Sequence, residues 1–126
     1  MACFGSPVEN VLHADMAFQA STQILHKVHA LCAAELIPPT RIGIGLHSGQ
    51  VVTGNIGNDS RKQFSISGAP VIIASRLEQL NKKFGSQILI SEEVLQRLTP
   101  MRQEVVLLAE EPLRGIGVPV KVYKVQ

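Results

Sequence analysis

The sequence has no tryptophan, one tyrosine and four phenylalanines, so it offers few flat rings on which nucleic-acid bases could stack. Charge is scarce too: charged residues are 17% of the 126, and 12 basic against 10 acidic side chains leave a net +2. The basic residues are scattered rather than gathered into a stripe, which argues against nucleic acid as a partner. Two cysteines, Cys3 and Cys32, are too few for a disulfide framework and lack CxxC spacing, so they read as buried thiols in a reducing compartment. No apolar run approaches the roughly 20 residues that cross a bilayer as a helix, and the first residues lack a signal-peptide pattern. What these absences leave is one cytoplasmic globular domain with no membrane segment, its core supplied by a hydrophobic fraction of 45%.

Glycine, by contrast, is concentrated. The stretch GIGLHSGQVVTGNIGND, residues 43–59, holds five of them. A phosphate-cradling loop would need GxxxxGK(S/T) or GxGxxG between a strand and a helix. Neither template fits: Ser48 stands where a third glycine belongs, no lysine follows as in a P-loop, and VVTGNIG continues as strand. The glycines are therefore expected to turn a hairpin between RIGIGLHSG and VVTGNIG at Ser48-Gly49-Gln50, and to mark strand positions approached closely by another backbone or a ligand.

Around this block the pattern alternates. MACFGSP reads as the end of a strand, and residues 8 to about 36 as one long helix with Val11, Ala14, Phe18, Ser21, Leu25, Val28 and Cys32 on its inner face, ended by Pro38-Pro39. FSISG is a further extended piece. A second helix begins near Pro70 and stops at Gly85, with a core stripe of Ile73, Leu77, Leu80 and Phe84 and a flank of Ile72, Arg76, Gln79 and Lys83. Ile72 is the odd member of that flank, a bulky apolar group four residues before an arginine. QILIS is a strand, EEVLQRL a short helix with Ser91 as N-cap, QEVVLLAEE a strand, and PVKVYKV a last strand after a turn at Leu113-Arg114-Gly115. Strands joined by short connections favour an α+β sheet with antiparallel pairs over a doubly wound parallel one.

His26, His29 and Cys32, three apart on the first helix, drift about 60° per step and do not converge on a metal. His13 and His47 show no partner in the sequence. Arg61-Lys62 and Lys82-Lys83 read as solvated charge, the latter suited to a helix carboxyl end.

Taken together, RIGIGLHSGQVVTGNIG, FSISGAPVIIASRLEQL, QILIS and LRGIGVPVKVYKV resemble, in order and spacing, the catalytic domain of class III nucleotidyl cyclases, the adenylyl and guanylyl cyclases. The resemblance covers essentially the whole chain and implies a ferredoxin-like α+β sandwich that pairs head to tail as a homodimer. It implies conversion of ATP or GTP to a 3′,5′-cyclic nucleotide and pyrophosphate, supported by two Mg²⁺ or Mn²⁺ ions held by two aspartates. Residue by residue, it gives Arg76 the catalytic role of stabilising the transition state, and Ser65 and Arg114 substrate contacts to base and triphosphate. It also marks departures: Ile72 stands where the family has a ribose-orienting asparagine, Ala69 replaces an acidic residue, and Ile116 takes the place of a triphosphate-binding lysine. By the same resemblance residues 1–126 are an amino-terminally truncated domain, lacking the first strand and the metal-binding hairpin tip, so that no metal ligand is expected in this chain. Upstream regulatory domains fit such a protein, and a catalytically weak dimerisation or nucleotide-sensing domain is the alternative reading.

Overall fold

The computed structural model describes residues 1–6, 8–58, 61–99, 105–113 and 116–125, with the side chains of 53–58 and 61–66 left aside. Nine elements follow in order among them: α1 (His13–Ala33), β1 (Ile44–Leu46), β2 (Val52–Asn58), β3 (Arg61–Ser67), α2 (Ala69–Phe84), β4 (Ile88–Ser91), α3 (Glu92–Arg97), β5 (Val105–Glu111) and β6 (Val120–Val125).

Four strands make one mixed sheet in the order β1-β4-β6-β5, and β2 and β3 form a separate two-stranded hairpin. β1 runs parallel to β4, with Ile44 opposite Ile88, while β4–β6 and β5–β6 are antiparallel. A parallel pair cannot be joined by a tight turn, and here α2, preceded by the hairpin, supplies the crossover. β1 and β2 therefore do not pair with each other, and the hairpin expected at Ser48-Gly49-Gln50 is corrected: β2 pairs with β3 instead, Val52 opposite Ser67 through Asn58 opposite Arg61.

The sheet is covered on both faces, which is why all four residues of β4 are buried. On one face Ile73 and Leu77 of α2 pack with Leu89, Leu113, Val120 and Val122, joined by the partly buried Leu80 and Phe84, so the stripe read from the sequence is the stripe that packs. On the other, Ile88, Ile90 and Val94 gather Leu25 of α1, Leu95 of α3 and Tyr123. Strand alternation sends Leu89 one way and Ile88 and Ile90 the other. In β5 the register shifts between Leu107 and Ala109, and Leu108 packs against the α2 face. Leu77 and Leu89 are both fully buried, and truncation of either to alanine at such a site typically costs about 2–5 kcal/mol.

Two further expectations change. Residues 1–6 form no strand, because neither edge of the four-stranded sheet takes up their backbone groups, and Cys3 is consequently exposed rather than buried. The first helix starts at His13 rather than 8, since Asn10 Oδ1 accepts from Leu12 N (2.9 Å) and Asn10 O from His13 N (3.1 Å), a local turn that holds off the helix. Val11 accordingly lies outside it, 93% exposed, while Ala14, Phe18 and Ser21 are buried as expected.

Candidate functional site

The site is built around α2, whose position is set by contact with β1. A Cβ added at Gly45 would overlap Ala74 O and Glu78 N, so a side chain there would drive the helix off the strand. This is the close backbone approach expected of one of the clustered glycines. Asn81, 4% exposed, then ties the two elements: its Nδ2 donates to Ile44 O (3.1 Å) and Glu78 O (3.1 Å), and its Oδ1 accepts from Ser86 Oγ (2.8 Å). The helix ends at Gly85, which takes the left-handed conformation (φ 60°) while Ser86 N–H closes onto Asn81 O (3.0 Å). At its start Pro70 occupies the first turn and lies over Gly49.

Arg76 sits two turns into this fixed helix and is half-buried, next to the fully buried Leu77. Ile72, one turn earlier, is 49% exposed, and Ala69 at the helix start is exposed. β3 runs directly into this end of α2, with Ser65 opposite Gly54 in the hairpin register. The Ser65 side chain and all of Arg114 lie outside the described residues. Ile116 is partly buried against the Ile73–Leu77 core, so that position serves packing. The sequence-assigned positions on α2 and β3 thus share one end of the fold.

A polar cluster missed by the sequence reading lies at the same end of the sheet. His47, just past β1, shares a 2.8 Å hydrogen bond between Nδ1 and the Oγ of Ser91, the last residue of β4. Ser91 occupies the N-cap position of α3 but makes no side-chain cap hydrogen bond to that helix. Glu93 Oε2 stands 3.8 Å from the same nitrogen, a buried atom without a hydrogen-bond partner among the described residues. Burial holds the His47 imidazole below its ordinary pKa of 6.5; nearby Glu93 opposes that shift and Arg97 adds to it. No local pattern announces this cluster, whereas Asn81 did leave a trace, as a polar residue four positions after Leu77 on the inward stripe.

Among the described residues no group of three His, Cys, Asp or Glu side chains could hold a metal ion. None of their helices is long and apolar enough to cross a membrane. What the arrangement does offer is a guanidinium on a rigidly seated helix, a charge with a planar donor fork suited to phosphate oxygens.

Comparison with known proteins is consistent with that chemistry. Residues 1–126 match the Adenylate and Guanylate cyclase catalytic domain family. The chain is 31% identical over 103 residues to adenylate cyclase 1 of Rhizobium meliloti, a match covering 79% of this chain and 16% of that protein. Among solved structures it is similar to the guanylyl cyclase Cya2, with a TM-score of 0.81 and 27% identity over 97% of this chain and 62% of the other. The adenylyl cyclase CyaB from P. aeruginosa aligns with a TM-score of 0.71 and 26% identity, covering 98% of this chain and 64% of that one. The chain therefore spans only part of each relative, about a sixth of the first. With a family match from the first residue to the last and a shared fold, the chain belongs to the adenylate and guanylate cyclase catalytic domain family.

Proposed function

We propose that these residues form part of a nucleotidyl cyclase centre that converts ATP or GTP to a 3′,5′-cyclic nucleotide. The ribose 3′-hydroxyl gives up its proton to solvent as its oxygen attacks the α-phosphorus, the bond from that phosphorus to the β-phosphate bridging oxygen breaks, and pyrophosphate leaves. Arg76 is the catalytic residue, its guanidinium placed against the α-phosphate oxygens where negative charge develops. The Ser65 hydroxyl donates or accepts at the purine edge, and Arg114 contacts the triphosphate. The observation that carries this reading is the family match over the whole chain, combined with a half-buried arginine on a helix pinned to β1 by Gly45 and Asn81.

The centre is completed by a second copy in a head-to-tail homodimer. Ile72, 49% exposed on α2, and Val52, 71% exposed on β2 and opposite Ser67, supply apolar surface for such a partner. The substrates place the reaction in the cytoplasm.

The longest natural chain carrying these residues is to be assayed with ATP and with GTP in the presence of manganese. Arg76→Ala is expected to lower turnover by about 10²–10³, the usual consequence of removing one preorganised charge-stabilising group. Unchanged turnover in the variant would overturn the role given to Arg76. Ile72 favours a second reading, a cyclase-like dimerisation or nucleotide-sensing domain, because an aliphatic side chain offers the ribose no hydrogen bond. Ile72→Asn separates the two: turnover that rises identifies a weakened catalyst, whereas nucleotide binding without turnover in either form identifies the sensing domain.

A further inference from the structure

At the opposite end of β1 and β4 from Pro70 and His47 lies a cleft of about 510 Å³, between the carboxyl-terminal half of α1, the segment before β1, the start of β4 and the end of β6. We propose that this cleft binds a small organic molecule carrying a phosphate group, at a site separate from the one that contains Arg76.

Four residues with cationic or imidazole side chains border it: Arg41, Lys124, His26 and His29. Among the described residues no aspartate or glutamate does. A chain with nearly balanced charge has gathered cationic and imidazole groups here from three separate segments, and left the carboxylates elsewhere. Two of the four are held in place. Arg41 Nη2 donates to Ser86 O (3.4 Å), which steadies the guanidinium over the start of β4, and a ring nitrogen of His29 lies 3.4 Å from the Gln87 amide nitrogen. Donors anchored in this way lose less freedom when an anion arrives.

The shape adds the organic part. The volume falls within the range of small-molecule sites, roughly 300–1,000 Å³, and is larger than a bare phosphate fills. Leu25, Ile88 and Val125 give it an apolar lining beside the cationic groups. Phosphate fits better than a single carboxylate, because its charge and three terminal oxygens can engage the planar fork of Arg41 and the point charge of Lys124 together. α2 ends beside the cleft at Gly85, but its terminal Asn81 carbonyl is already closed by Ser86 N–H (3.0 Å).

The test uses the whole chain, ¹⁵N-labelled and titrated with ribose 5-phosphate, with inorganic phosphate and ribose as separate controls. Amides of residues 85–88 and 124–125 are expected to shift, with tighter binding to ribose 5-phosphate than to either control. Arg41→Gln and Lys124→Gln should each weaken binding about tenfold or more, as loss of a charge-assisted hydrogen bond does. Arg76→Ala should leave it unchanged, which keeps this site distinct from the proposed catalytic centre. No shift at these amides at about 10 mM, enough to fill a site of millimolar Kd, would overturn the proposal. So would unchanged affinity in the double variant Arg41→Gln, Lys124→Gln, or perturbation confined to the start of α2.

Discussion

The imidazole of His47 has a side chain 6% exposed and a hydrogen bond to Ser91, an environment that favours its neutral form. Because the unfolded imidazole takes a proton more readily than the folded one, the full stability is present above about pH 6.5 and is eroded as the pH falls below it. His47→Gln should flatten the decline in urea midpoint between about pH 7 and 5, and an equal decline in the variant would place the titration elsewhere. Asn81 is also a buried polar residue with a distant partner. Asn81→Ala leaves Ile44 O and Ser86 Oγ without their partner and is expected to cost about 1–3 kcal/mol in denaturant unfolding. Neither residue's partners could be read from the sequence, because Ser91 is 44 and Ile44 is 37 positions away. Gly45 was legible as a point of close approach, but only the fold names Ala74 and Glu78 as what approaches it.

Helices α1 and α2 close in the same way with different residues. In α1 the N–H of Glu35 bonds Cys32 O (3.1 Å) and that of Leu36 bonds Leu31 O (3.1 Å), while Glu35 takes the left-handed conformation (φ 59°) that Gly85 takes after α2. A side chain in that conformation costs about 1–2 kcal/mol, against about 0.5–1 kcal/mol for the extra backbone freedom of an unfolded glycine. The difference decides the signs. Glu35→Gly is expected to stabilise the chain by about 0.5–1 kcal/mol and Gly85→Ala to destabilise it by a similar amount, both measurable as shifts in urea midpoint at unchanged slope. The sequence showed the stop after α2 through its glycine, and located the end of α1 only through Pro38-Pro39, several residues late. Ser91 shows the same limit: its N-cap position was evident, but tertiary contact turned its hydroxyl to His47. Lys83, read as solvated charge at a helix end, also reaches Glu111 on β5 (2.9 Å), a pair whose lysine is exposed while its glutamate is largely covered.

Across the whole molecule, cooperativity should be unevenly spread. β4 is flanked by β1 and β6 and buried on both faces, whereas among the described residues β2 and β3 pair only with each other, and an isolated two-stranded ribbon is marginal in water. Native-state hydrogen exchange should therefore find the slowest amides in β4 and β6, and the β2–β3 amides several orders of magnitude faster. Equal protection in the hairpin of a dilute monomer would contradict that ordering; protection gained on self-association would support the head-to-tail dimer. The sequence by itself determined the α+β class, the extent and inward stripe of α2, the strands β4, β5 and β6, and the family resemblance, because periodicity, caps and turn residues act over a few neighbours. Tertiary structure alone decided that β1 joins β4 rather than β2, that His47 meets Ser91, and that Arg41 and Lys124 border one cleft. Those outcomes depend on which distant backbones satisfy each other's hydrogen bonds, and a local pattern holds no record of that choice.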